Sequence, residues 1–77
     1  MEQTNVYCYS HWYVFDYSSS IIYHFQVTKE IEAEIQKRYG EYYEDTDVLE
    51  FFGFNYFNCH WLGSDEELHI TDIPQKL

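Results

Sequence analysis

Basic residues are scarce in this chain of 77 residues. Four Lys and Arg side chains stand against fourteen Asp and Glu, so the formal net charge at pH 7 is −10. Direct binding to nucleic acid or to an anionic membrane is not expected, because both surfaces attract Lys and Arg. The scarcity is also uneven, since no Lys or Arg occurs between Tyr39 and Gln75. A basic protein partner, or solubility alone, remains as the reason for the acidity.

Other features that would indicate a particular class of protein are missing. No apolar run is long enough to span a membrane, and residues 1–5 lack the basic start of a signal peptide. Two cysteines are too few for a secreted disulfide scaffold, so we expect a cytoplasmic protein. With three glycines in the whole chain, a glycine-rich phosphate loop is excluded.

The chain instead has an excess of aromatic side chains, namely nine Tyr, six Phe and two Trp. Each ring can bury roughly 150–250 Å², so these residues could stabilise a small domain without a disulfide or a metal. A single domain over residues 1–77 has too little interior for all of them. Some rings are therefore expected at the surface, where Tyr and Trp are enriched at interfaces. The alternative is that tyrosines line the core and only their hydroxyls reach water.

Residue patterns predict an α+β fold in which an antiparallel sheet packs on one helix, in the order ββα(α)ββ. Runs rich in aromatic and β-branched residues predict the strands. The predicted strands cover residues 6–17, 21–27, 54–62 and 66–73. A serine turn joins the first two as a hairpin, and a turn at residues 63–65 separates the last two.

A helix is predicted from residue 29 to about residue 39. Thr28 is a good N-cap and Gly40 a good C-terminal breaker. The predicted buried stripe has helical spacing and consists of Ile31, Ile35, Tyr39 and Tyr42. Residues 48–52 are interpreted as a short second helix capped by Asp45 or Thr46, or alternatively as part of the following strand.

Four residues offer the side chains that zinc uses: Cys8, His11, Cys59 and His60. Within each sequence-local pair, the two residues have opposite parity on a predicted strand, so their side chains should point to opposite faces. We therefore expect no metal and no cofactor, although a metal-binding regulator and a Cys8–Cys59 disulfide stay open. The same parity argues against a thiolate–imidazole pair at Cys59 and His60, and we expect no enzyme.

Acidic residues are the strongest functional feature. The acids in the stretch that lacks Lys and Arg are Glu41, Glu44, Asp45, Asp47, Glu50, Asp65, Glu66, Glu67 and Asp72. Uncompensated like charges repel one another, and a cationic partner surface would relieve that repulsion. Carboxylates along a loop and a strand edge could approximate the charge spacing of DNA, about 3.4 Å along each strand.

In size, acidity and aromatic content the chain resembles the small inhibitors that phages use against host defence, including DNA-mimicking anti-CRISPR proteins. The resemblance lies in the acidic run at residues 41–47, the tyrosine-rich hairpin, and the order hairpin, helix, acidic loop, short helix. It implies a viral inhibitor that binds the DNA-recognition surface of a Cas effector, or of another nucleic-acid enzyme, in the host cytoplasm. It assigns a role to no individual residue.

Two functional hypotheses follow, besides the metal-binding regulator that would use Cys8, His11, Cys59 and His60. In the first, a non-catalytic DNA mimic binds a basic nucleic-acid-binding protein through the acids at positions 41–50 and 65–67. In the second, an assembly or adaptor module binds a partner or a second copy through the aromatic hairpin, with Tyr9 and Tyr13 as contacts, and the acidity only maintains solubility. Aromatic residues at both parities of the first strand make a homodimer possible, although the net charge opposes it.

Overall fold

The computed structural model describes residues 9–74. The element order is β1 (His11–Asp16), β2 (Ile21–Gln26), α1 (Lys29–Tyr39), α2 (Asp45–Phe51), a short 3-10 helix (Tyr56–Asn58) and β3 (Cys59–Ser64). The three strands form one antiparallel sheet in the order β2–β1–β3. The predicted α+β class is confirmed. Within residues 9–74, neither helix combines the length and apolarity needed to cross a membrane.

Asp16 fixes the turn of the β1–β2 hairpin. Its carboxylate accepts hydrogen bonds from the Ser18 backbone N–H at 3.0 Å and from the Ser18 hydroxyl at 3.1 Å. Its carbonyl accepts from the Ser20 N–H at 2.8 Å. The predicted hairpin is therefore confirmed. The first strand is shorter than predicted, because it begins at His11 and Tyr17 already belongs to the turn. Predicted strand residues 6–8 lie outside the described residues.

β1 is the central strand, and its side chains alternate between two environments. Trp12 and Val14 are fully buried at 0 % exposure on what we call the inner face of the sheet. His11, Tyr13 and Phe15 lie on the opposite, outer face, where they are half-buried or exposed. The aromatic residues at both parities are thus explained by one core face and one face outside the core.

The core joins the inner face to both helices. Its buried residues are Trp12, Val14, Val27, Ile35, Val48, Leu49 and Cys59. An aromatic group extends this core from β2 to the end of α2, where the Phe25 and Phe52 rings stack with centroids 3.9 Å apart. Stacked and tilted rings add roughly 0.5–1.5 kcal/mol per pair beyond their burial. The inner face therefore accounts for a large share of the aromatic excess.

α1 has the predicted caps, and Ile31, Ile35 and Tyr39 pack on the core as predicted. The Thr28 hydroxyl accepts from the Ile31 N–H at 3.2 Å, and Gly40 ends the helix with φ 101°. Tyr42 was predicted to be buried, and this is wrong, since it is 89 % exposed. The helical period stops at Gly40, so Tyr43 packs against the core instead and donates a hydrogen bond to the buried Glu32 carboxylate.

α2 confirms the helical interpretation of the segment after the acidic loop, but it begins earlier than predicted. The helix starts at Asp45, and Glu44 is the N-cap rather than Asp45 or Thr46. The Asp47 carboxylate accepts from the Glu44 N–H at 3.0 Å, which is one half of a capping box. The charge that sequence reasoning assigned to partner binding therefore also has a local role.

The last two predicted strands are wrong in their extent. Residues 56–58 form the 3-10 helix, so the third strand covers Cys59–Ser64 rather than residues 54–62. Residues 66–73 are not a strand. The predicted turn at 63–65 falls partly within β3, so the chain does not fold back to pair beside it. It leaves the sheet instead, and the Leu68 N–H donates to the Tyr13 hydroxyl at 2.7 Å.

Candidate binding surfaces

The outer face of the sheet carries aromatic, apolar and histidine side chains. Its rows across β2, β1 and β3 are Gln26–His11–Ser64, His24–Tyr13–Leu62 and Ile22–Phe15–His60. Phe15 is 38 % exposed, Ile22 58 % and Leu62 54 %. Contiguous exposed apolar surface of this kind marks interaction sites more often than scattered single residues do.

Two histidines on this outer face form a close pair. His11 Nδ1 and His24 Nε2 are 3.0 Å apart, as in an N–H···N hydrogen bond in which the tautomers decide the donor. The two rings are nearly parallel at 10°, with centroids 5.2 Å apart. The Tyr13 ring stacks on His24, with ring centroids 4.7 Å apart and 22° between the planes.

The first group of acids lies on the α1–α2 loop and on α2. Glu41, Glu44, Asp45 and Glu50 are exposed, and Asp47 is half-buried. Asp45 and Asp47 lie in the first turn of α2, where the helix dipole favours negative charge. Asp45 also accepts a long hydrogen bond from the Trp61 indole N–H at 3.4 Å. Part of this acidic group is therefore explained by the helix itself.

The second group of acids follows β3 directly. Asp65, Glu66, Glu67 and Asp72 are exposed in the irregular segment after the sheet. The Asp65 carbonyl accepts from the Ser10 hydroxyl at 3.2 Å, and the Glu66 N–H donates to the Ser64 hydroxyl at 3.1 Å. Because Asp45 also reaches Trp61 of β3, each acidic group has at least one member next to β3. Exposed apolar residues 21–23 occupy the other edge strand.

The structure places Tyr9 and Tyr13 on opposite sides of the sheet. A Cβ atom at Gly63 would lie 2.1 Å from Tyr9 Cδ2, so the Tyr9 ring covers Gly63 on the same side as Trp12. The Tyr9 carbonyl accepts from the Trp12 indole N–H at 2.9 Å. Tyr9 and Tyr13 are both odd-numbered residues of the predicted first strand, which suggested that they share a face. The strand begins only at His11, however, and the bend at Ser10 reorients Tyr9.

Cys59 and His60 also face opposite sides. Cys59 is buried on the inner face opposite Asp16, whereas His60 lies on the outer face opposite Phe15. Burial raises the pKa of the Cys59 thiol above its ordinary 9.0, and the Asp16 charge adds to that shift. A buried neutral thiol is a poor nucleophile. The two residues therefore do not form a thiolate–imidazole pair, as parity predicted.

The zinc set suggested by residue type is not assembled. Cys59 lies on the inner face and His11 and His60 on the outer, while Cys8, with any disulfide it could form, lies outside the described residues. Among the side chains of residues 9–74, no group of three or more His, Cys, Asp or Glu is placed to hold a metal ion.

A cavity of about 230 Å³ lies beside the hairpin turn. Its lining residues are Asp16, Ser18, Gly53, Phe54, Asn55, Asn58 and Cys59. The polar side chains bind one another, since Asn58 donates to the Ser18 hydroxyl at 2.7 Å and Ser18 donates to Asp16. These mutual hydrogen bonds make the cavity part of the turn structure.

Sequence reasoning missed His24 as a partner of His11. The only signal in the sequence was that His24 alternates with Phe25 along the second predicted strand, which puts its side chain on the face away from Phe25. The pairing with His11 needed the hairpin register, in which His24 lies opposite Tyr13.

Comparisons with protein-family models, with curated proteins and with solved structures gave no match. Any function is therefore inferred from the surfaces of this chain.

Proposed function

We propose that this protein is a non-catalytic inhibitor that binds a Lys- and Arg-rich surface of a nucleic-acid-binding protein, such as a CRISPR–Cas effector, by mimicking DNA. The observation that carries the proposal is a set of exposed acids within a stretch that contains no Lys or Arg, namely Glu41, Glu44, Asp45, Glu50, Asp65, Glu66 and Glu67. The partner surface would be one that ordinarily binds phosphates, in the cytoplasm.

The charges best suited to this role are those without a local structural explanation. Glu41 and Glu50 are exposed, and so are Glu66 and Glu67. By contrast, Glu34 lies four residues before Arg38 on α1, a spacing at which opposite charges attract each other. Carboxylates that become desolvated against Lys or Arg can couple by roughly 1.5–7 kcal/mol, whereas charges at the rim mainly change the association rate.

The test begins with affinity capture from the native host and mass spectrometry, which names the partner. Labelled DNA or RNA bound by that partner should then be displaced by the protein. The affinity should fall steeply with added salt, because the proposed interface is electrostatic.

Matched charge pairs make the test specific to the proposed surface. Glu41→Gln with Glu50→Gln, and separately Glu66→Gln with Glu67→Gln, each remove two exposed negative charges. Glu30→Gln with Glu34→Gln is the control, since it removes the same charge from exposed positions on α1. We expect at least one of the first two pairs to lower affinity about tenfold or more and the control to change it little.

A second candidate function is an assembly or adaptor module that binds through the outer face of the sheet. The observation that favours it is the exposure of Phe15, Ile22 and Leu62 on that face. In this case the acidity serves solubility alone. The partner is a protein with an apolar patch or a second copy of this chain.

The variant Ile22→Thr with Leu62→Thr separates the two candidates. Threonine has the β-branched shape that strands favour, and it removes apolar surface. If this variant abolishes partner binding while both acidic pairs bind normally and nucleic acid does not compete, the DNA-mimic proposal fails and the adaptor takes its place. Sedimentation of the wild-type protein at high concentration tests the homodimer version directly.

A further inference from the structure

We infer that His11 and His24 form a two-imidazole binding site for a divalent transition metal ion, of the class of Ni²⁺, Cu²⁺ and Zn²⁺, on the outer face of the sheet. The inference is independent of the proposed inhibitor function. It rests on the separation of two ring nitrogens, on the access to that pair, and on the charge beside it.

The nitrogen separation matches the bite of a chelate. Two imidazole nitrogens at about 2.05 Å from one metal are about 2.9 Å apart at a 90° angle and about 3.3 Å apart at a tetrahedral angle. His11 Nδ1 and His24 Nε2 are 3.0 Å apart. In the metal-free pair a proton lies between the nitrogens. On metal binding, the ring that carries this proton would take its other tautomer, with the proton on the nitrogen away from the metal, and both rings would tilt so that their lone pairs converge above the sheet.

The backbone already holds both ligands at this distance. His11 and His24 are diagonal neighbours on adjacent antiparallel strands, because His11 pairs with Gln26 and His24 pairs with Tyr13. The Tyr13 ring backs His24 at 4.7 Å. Because strand pairing already holds the two side chains close together, binding an ion costs less conformational entropy than it would between two separate side chains.

Access and charge favour a cation at this place. His24 is exposed and His11 is half-buried, so solvent ligands can fill the remaining coordination positions. The Asp65 carbonyl is hydrogen-bonded to Ser10, the residue before His11, and exposed Asp65, Glu66 and Glu67 follow from there. Their negative potential raises the local concentration of divalent cations, and it does not repel a neutral imidazole ligand.

The test is a titration of tag-free protein with Ni²⁺ at about pH 7.5. A Cys8→Ser background removes the thiol that lies outside the described residues. Heat of binding and melting temperature are followed together. We expect one Ni²⁺ per chain, a melting temperature that rises with Ni²⁺ concentration, and reversal by a chelator.

Variants assign the ligands. His11→Gln and His24→Gln should each weaken Ni²⁺ binding about tenfold or more, because one remaining imidazole has no chelate partner. His60→Gln on the same face and His69→Gln in the segment after β3 are matched controls and should leave binding unchanged. Circular dichroism confirms that each variant is folded. The inference is overturned if no saturable binding occurs below about 1 mM Ni²⁺, or if both pair variants bind like the wild type.

Discussion

The replacement of Gly63 by alanine tests where the structure places Tyr9. A Cβ at position 63 would lie 2.1 Å from Tyr9 Cδ2, 2.6 Å from Cγ and 2.9 Å from Cε2. The crowded atoms include the base of the ring, so the whole side chain must rotate away rather than bend at its tip. Such overpacking costs about 1–3 kcal/mol.

The same substitution also has a stabilising effect, which is smaller than the cost of overpacking. The backbone of Gly63 does not require a positive φ, so alanine fits its conformation and stiffens the unfolded chain, which stabilises by about 0.4–1 kcal/mol. The net expectation is that Gly63→Ala lowers the free energy of unfolding by about 0.5–2 kcal/mol. For a domain of this size, 1 kcal/mol corresponds to a decrease in Tm of about 4–8 °C.

The assay is urea unfolding followed by tryptophan fluorescence, with buried Trp12 as reporter. Tyr9→Ala supplies the second side of a double-mutant cycle, and it keeps the Tyr9 carbonyl that binds the Trp12 indole. In the Tyr9→Ala background, Gly63→Ala should be neutral or stabilising. If Gly63→Ala is harmless in the wild type, or equally damaging in both backgrounds, Tyr9 does not cover Gly63 and its assignment to the inner side is wrong.

Three further outcomes are expected. Because Leu49 is fully buried, Leu49→Ala should lower the free energy of unfolding, measured by urea titration, by about 2–5 kcal/mol. Leu62→Ala at an exposed position should change it by less than about 0.5 kcal/mol, and equal effects of the two variants would contradict the assigned core. Asp47→Ala should cost about 0.5–2 kcal/mol by thermal unfolding and Asp47→Asn less, since the amide oxygen can still accept the Glu44 N–H; a harmless Asp47→Ala would argue against the capping role. Burial raises the pKa of the Cys59 thiol, so the folded state favours the neutral thiol; this contribution to stability is fully present below pH 9.0 and is lost as pH rises above it. Iodoacetamide should modify Cys59 more slowly in folded than in urea-unfolded protein, and equal rates would refute the burial of the thiol.

Local sequence determined several features of this protein because their causes lie within a few residues. The α+β class followed from runs of aromatic and β-branched residues and from one stretch with helical spacing. The hairpin turn depends on hydrogen bonds within residues 16–20, and the ends of α1 depend on Thr28 and Gly40. The net charge and the absence of Lys and Arg between Tyr39 and Gln75 are read directly from the sequence.

Tertiary structure alone decided the rest, because each remaining feature depends on strand register or on the path of the chain between elements. The His11–His24 pair requires the β1–β2 register. Tyr9 and Tyr13 separate because the strand starts after the bend at Ser10. Residues 66–73 do not become a fourth strand because β3 continues to Ser64 through the segment expected to turn, and the chain then leaves the sheet. Side-chain parity cannot foresee such outcomes, since it describes a strand only after the ends and partners of that strand are known.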